Sequence, residues 1–204
     1  MTSPPLYLAS ASPRRQEILD QLGIAHRVLR VPAPEGEDEP QWPGEAAADY
    51  VRRTAREKAE RAVRWLAGPQ RPEDFLPPGE ALILAADTTV ILDGQVLGKP
   101  RDLADAESML ARLSGRSHQV HTAIALAVHG RILEDLSVNE VQFKPLSRHE
   151  IQAYCATGEP LGKAGAYAIQ GRAGMFVRHL SGSHTGVMGL PAYETARLLE
   201  QARD

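Results

Sequence analysis

Ala81-Leu-Ile-Leu-Ala-Ala-Asp-Thr-Thr-Val-Ile-Leu92 is apolar at every position except Asp87, Thr88 and Thr89. The run is the strongest strand signal in the chain. Asp93-Gly94 follows it, a dipeptide suited to a two-residue hairpin turn, and Gln95-Val-Leu97 returns. Upstream, Leu6-Tyr-Leu-Ala-Ser-Ala-Ser-Pro-Arg-Arg15 passes from a strand at 5–9 to a helix at 13–22. Ser12 is placed there as N-cap and Pro13 at the first helical position. Residues 26–31 read as a second strand and 45–67 as a long helix, with Val51, Ala55, Ala59, Ala62, Val63 and Leu66 at helical spacing. Downstream, the pattern predicts a helix at 102–113, paired strands at 118–129 and 132–144, and a helix at 147–156. A Gly-rich stretch at 158–174, a strand at 174–180, a second glycine cluster (Gly182, Gly186, Gly189) and a helix at 191–202 complete it. Apolar runs alternating with helical patterns define an α/β chain.

Composition narrows the function classes. The chain has 204 residues, a formal net charge of -3 and a sequence pI of about 6.2, so it lacks the broad basic footprint of a nucleic-acid binder. Affinity for phosphate has to come from local clusters. One cysteine, Cys155, excludes an internal disulfide framework. No run of 18 apolar residues occurs, and the N-terminal stretch lacks a basic region followed by a long apolar one. A soluble cytoplasmic protein without a membrane span is expected.

Several residues stand out against this background. Arg14 and Arg15 lie in the first turn of a helix, where the macrodipole is positive and acidic side chains are preferred. Two cations there are either solvated surface groups or part of a phosphate cradle made with the helix N–H groups. Ser10, just upstream, can add a hydrogen bond. Asp87 interrupts a buried run, and a carboxylate without a partner there would cost several kcal/mol. It therefore faces a cleft, pairs with a cation or metal, or sits near an exposed strand end. Lys58 lies about 20° from Val51 around its helix, at the border of the apolar stripe. Either it snorkels to water or its ammonium enters a cleft near Asp87. Lys99 in Gly98-Lys-Pro100 is either ordinary surface or a point charge for phosphate. The acidic loop holding Glu35, Glu37, Asp38 and Glu39 is either solvated or oriented to a hard divalent ion. His118 and His121 fall on opposite faces of a strand and do not form a zinc pair. Cys155 reads as an inert thiol, and His184 lies in a glycine-rich loop.

Taken together, seven separated segments resemble the Maf family of nucleoside triphosphate pyrophosphatases. They are Leu8-Ala-Ser-Ala-Ser-Pro-Arg-Arg15, Ala55-Arg-Glu-Lys-Ala59, Ala86-Asp-Thr-Thr-Val90, Gly98-Lys-Pro-Arg-Asp102, Leu113-Ser-Gly-Arg-Ser-His-Gln-Val120, Lys163-Ala-Gly-Ala-Tyr-Ala-Ile-Gln-Gly171 and Val187-Met-Gly-Leu-Pro191. The resemblance implies a single α/β domain over 1–204, with a long mixed twisted sheet flanked by helices and two lobes around a central cleft. It also implies a homodimer that hydrolyses a nucleoside triphosphate to monophosphate and pyrophosphate with Mg²⁺ or Mn²⁺. Within the family the chain resembles the dTTP/UTP branch at Arg15, Thr88 and Gln170, which would carry specificity. Asp87 would be the general base with Lys58 beside it, and Ser10, Arg14, Arg15, Lys58 and Lys99 would hold the triphosphate. Glu35, with Glu37 and Glu39 as alternatives, would join Asp87 at the metal. Residues 182–186 depart from the aromatic-containing family pattern. Other non-canonical nucleotides as substrates, and a non-catalytic regulator of cell division, are the competing readings.

Overall fold

The computed structural model describes residues 4–32 and 39–203. Among them seven strands form one mixed sheet: β1 (Leu6–Leu8), β2 (Arg27–Val28), β3 (Leu82–Leu92), β4 (Gln95–Leu97), β5 (Ser117–Val128), β6 (Arg131–Phe143) and β7 (Val177–Ser181). The order is β2-β1-β3-β5-β6-β7, with β4 paired to β3. β1 runs parallel to β2 and β3, and the remaining pairs are antiparallel. The helices are α1 (Pro13–Gln21), α2 (Ala47–Ala67), α3 (Leu103–Leu113), α4 (Arg148–Cys155), α5 (His184–Met188) and α6 (Ala192–Gln201). None is long and apolar enough to cross a membrane.

β3 organises the sheet. One edge pairs with β5 from Ile83 to Ile91. The other edge is divided, because β1 pairs only with Leu82–Leu84 and β4 only with Val90–Leu92. Residues 85–89 therefore have no strand beside them on that edge, and Asp87 lies at the centre of the gap.

Side-chain alternation decides what each residue of β3 meets. Ala85 faces α2, where Val51, Ala55 and Ala59 pack against Ala85, Ala123 and Ala125. Small residues on both surfaces bring the helix close to the sheet. Tyr7, Ile83 and Ala127 continue this face under Ala62 and Leu66. On the other face Leu84 and Ala86 pack with Ile18 and Leu19 of α1 and Leu198 of α6. Further along, Val90 and Leu92 enter a separate cluster with Leu110 of α3, Tyr154 of α4 and Tyr167. Thr88 lies between these clusters, and Met188 packs against both.

Most element boundaries agree with the sequence reading within a few residues. Asp93 and Gly94, at φ 52° and 77°, form the expected turn between β3 and β4, and His129 and Gly130 repeat it between β5 and β6. Ser12 occupies the position before α1, yet its side chain makes no capping bond; its own N–H donates to Ser10 Oγ at 3.2 Å. The second glycine cluster is not a continuous loop. His184 begins α5 there, capped by Ser183, whose hydroxyl accepts from Gly186 N–H, and ended by Gly189 at φ 119°. The strand expected from 174 begins at Val177, because residues 172–176 form a 3₁₀ turn.

The two histidines of β5 do point apart. His118 Nε2 lies 2.9 Å from the Tyr167 hydroxyl, and its ring meets Phe143 and Tyr167 edge-on. His121 Nε2 lies 3.1 Å from Gln119 Oε1. Burial pulls His118 down to about 4. An unfolded imidazole accepts its proton near pH 6.5, so acid favours the unfolded chain from that point down to about pH 4. At the bottom of this window the penalty is about 3 kcal/mol. Urea unfolding at pH 7 and pH 4.5 should therefore show a smaller acid loss for His118→Gln than for the parent chain.

Candidate active site

The gap in β3 opens into a cleft of about 680 Å³, a size that accommodates a small ligand. Its walls come from distant parts of the chain: residues 9–16, residues 28–31 at the end of β2 and beyond it, α2, the centre of β3, Lys99, the 162–170 segment and the end of α5.

On the α2 face, Lys58 is the partner that Asp87 requires. Its Nζ lies 2.6 Å from Asp87 Oδ1 and 2.7 Å from Glu39 Oε2. The side chains are 22%, 15% and 10% exposed for Lys58, Asp87 and Glu39, so water screens the cluster poorly. Lys58 thus enters the cleft rather than snorkelling. Arg61, one turn further along α2, reaches within 3.6 Å of Glu39 Oε1, an atom with no hydrogen-bond partner among the described residues. Burial pushes the Glu39 carboxyl above its ordinary range, and Lys58 pulls it back. Glu35, Glu37 and Asp38 lie outside the described residues. Among those described, Glu39 is the acidic-loop carboxylate beside Asp87.

On the opposite face Arg15 is held by neutral acceptors. Its guanidinium donates to Gly189 C=O at 2.8 Å, to Ser10 Oγ at 3.0 Å and to Thr88 Oγ1 at 3.5 Å. Thr122 donates to Gly186 C=O at 2.8 Å, which uses its only proton. Its oxygen therefore accepts from Thr88 at 2.9 Å, and Thr88 in turn presents lone pairs to Arg15. Gly189 is needed at this junction: its φ is 119°, and an added Cβ would lie 3.4 Å from Thr88 Oγ1. The hydroxyl chain joins α1, β3, β5 and α5 and orients Arg15.

The remaining expected residues also reach the cleft. Arg14 and Lys99 line it, and Gln170 lies exposed on its rim. Lys163 and Arg61 join them, although neither stands out in the sequence reading. Arg61 had a legible signal, three residues after Lys58 on one helix. Lys163 stands at the head of a family-resembling segment, but that its loop reaches the cleft was not legible, since tertiary packing brings it there.

Charge is distributed unevenly. Lys58 and Arg61 face carboxylates, whereas Arg14, Arg15, Lys99 and Lys163 form no ion pair with any described residue. Burial lowers the proton affinity of Arg15; Asp87 opposes this and Arg14 adds to it. Burial is likewise the main cause for Arg14, with Glu17 opposing. Concentrated, partly desolvated positive charge beside a carboxylate pair favours a polyanion.

The one cysteine does not compete for the role: Cys155 is buried, with its thiol pushed up by that burial. The described residues contain no group of three or more His, Cys, Asp or Glu arranged for a metal.

Proteins of known type share this sequence over nearly its full length. A dTTP/UTP pyrophosphatase of Bordetella parapertussis is 65% identical over 199 residues, covering 98% of this chain and 93% of its own. The protein of the same name from Bordetella avium is 59% identical over 199 residues, covering 98% and 96%. That of Nitrosomonas europaea is 48% identical over 200 residues, covering 96% and 93%. The family model described as "Maf-like protein" matches residues 5–202, a span containing every cleft residue named above, and the chain belongs to the Maf family.

Proposed function

We propose that this chain hydrolyses dTTP and UTP to the nucleoside monophosphate and pyrophosphate. One observation carries the reading: the Asp87–Lys58–Glu39 cluster opens into the same cleft as four cations that form no ion pair with a described carboxylate. The names of the relatives supply the substrate class.

In this mechanism Asp87 acts on water. Lys58 engages Oδ1 at 2.6 Å, while Oδ2 accepts the water proton. The water oxygen bonds to the α-phosphorus, the bond from that phosphorus to the α–β bridging oxygen breaks, and pyrophosphate departs with that oxygen. Arg14, Arg15 and Lys99 meet the negative charge of the phosphates and of the leaving group, and Ser10 sets the position of Arg15. Positioning and electrostatics suffice for such a reaction, and no covalent intermediate is needed. Gln170 offers an amide donor and acceptor, the pattern that the N–H and C=O edge of a pyrimidine requires. Thr88 contributes to discrimination by orienting Arg15.

The donor set also suits Mg²⁺ or Mn²⁺. Asp87 and Glu39 are hard oxygen ligands, Glu39 has a buried oxygen without a hydrogen bond, and Mg²⁺ commonly uses one or two carboxylates together with substrate phosphates. Glu35 remains a further ligand by family resemblance. When bound, the ion supplies charge neutralisation to the phosphates. Homodimer assembly and a cytoplasmic site of action belong to the same proposal.

Asp87→Asn should retain the fold and lose about 10² to 10⁴ in kcat with dTTP, measured by pyrophosphate release. Full turnover in a folded variant would remove Asp87 from the base role. Across a panel of nucleoside triphosphates, the parent chain should prefer dTTP and UTP, and Gln170→Glu should erase that preference, because a carboxylate cannot donate to the base carbonyl. Hydrolysis of none of the panel, with Mg²⁺ or Mn²⁺ supplied, would favour a nucleotide-binding regulator instead. Chelation should abolish activity, and added Mg²⁺ or Mn²⁺ should restore it.

A further inference from the structure

We infer that Lys163 is an additional polyphosphate-binding residue, delivered to the cleft by a constrained loop that is coupled to the loop of Lys99. The substrate in this inference rests on the function proposed above; the site itself rests on the geometry below.

The loop that carries Lys163 is held in an unusual backbone conformation. Gly162 and Gly165 have φ values of 71° and 65°, and Ala166, which has a Cβ, sits at φ 60°. Positive φ at a non-glycine residue costs free energy, and such residues concentrate where the surrounding structure enforces a functional geometry. The enforcement is visible here. A Cβ on Gly165 would lie 2.9 Å from three side-chain carbons of Val90, so the loop backbone rests directly on β3. Gly165 N–H donates to Gly98 C=O at 3.0 Å, joining the Lys163 loop to the residue before Lys99. The two lysines are thus carried by adjoining backbone segments tied by one hydrogen bond.

Lys163 lines the cleft and forms no ion pair with a described carboxylate. Glu159 is its nearest acidic influence, but that carboxylate is already engaged. Its Oε1 accepts from the Tyr154 hydroxyl at 2.9 Å and its Oε2 from Arg172 N–H at 3.2 Å. Among the described residues, Lys163 Nζ makes only a long contact of 3.3 Å to the C=O of Leu161. Burial lowers its proton affinity and Arg14 lowers it further, whereas Glu159 opposes both. Packing on Val90 and the bond to Gly98 fix the loop, and a shared anionic ligand gives the ammonium and Arg14 a common partner.

Lys163→Met preserves stem length and removes the charge, and Lys163→Arg restores it. A charge-assisted contact of ordinary strength predicts that Lys163→Met weakens binding of inorganic tripolyphosphate by about tenfold or more in titration calorimetry. Inhibition by pyrophosphate should weaken in parallel. Thymidine, which lacks phosphate, should bind within about twofold of its parent affinity. Lys163→Arg should recover most of the loss, which a merely structural role would not produce. Tripolyphosphate affinity unchanged in Lys163→Met, or an equal loss for thymidine, would overturn the assignment. Failure of the parent chain to cleave dTTP or UTP would instead overturn the proposed function, because the tripolyphosphate comparison reads Lys163 without turnover.

Discussion

The ion pair between Asp87 and Lys58 is the constraint around which the cleft is arranged. A carboxylate within an eleven-residue, largely buried strand is tolerated only with an opposite charge at hydrogen-bond distance. Lys58 meets that condition at 2.6 Å because alanines on α2 and on the sheet let the helix approach closely. The same ammonium gathers Glu39, so one cation orders both described carboxylates of the site. Exchanging these groups for apolar side chains could leave stability little changed, whereas removing one partner strands a charge. Function, more than stability, accounts for polar groups here.

The open edge of β3 makes this cluster accessible. β1 ends at Leu8 and β4 begins its pairing at Val90, leaving Asp87 and Thr88 on the cleft although their strand is central. Adjacent residues of a strand point to opposite faces, so a single two-residue step serves two systems. Asp87 faces Lys58 and Glu39; Thr88 faces the hydroxyl chain that orients Arg15. The carboxylate cluster and the positioning of Arg15 are thereby placed one residue apart.

Electrostatic imbalance gives the cleft its character. The protein as a whole carries a net charge of -3, so its positive potential is local to the cleft. Carboxylates are paired with Lys58 and Arg61, leaving positive charge concentrated among α1 and the two lysine loops. The burial that lowers the proton affinity of Arg14, Arg15 and Lys163 also strengthens their attraction to phosphate, because fewer waters screen it.

The sequence by itself determined the elements whose signals are local. The apolar run of β3, the Asp93-Gly94 turn, the alanine stripe of α2 and the Pro13 start of α1 are legible because each depends on neighbours a few residues away. Asp87 and Lys58 were recognisable as anomalies for the same reason: each interrupts a pattern. Their pairing was not legible, since helical register left Lys58 at the border of its stripe and only packing chose the direction. Nor was α5, whose glycines read as a loop until Ser183 and Gly189 supplied its two ends. Lys163 shows the limit most clearly. Its segment resembles the family pattern, yet only the packing of Gly165 on Val90 and the hydrogen bond from Gly165 to Gly98 bring its loop to the cleft. Tertiary structure decided such cases because charge matters only through what it faces, and those partners lie tens of residues away along the chain.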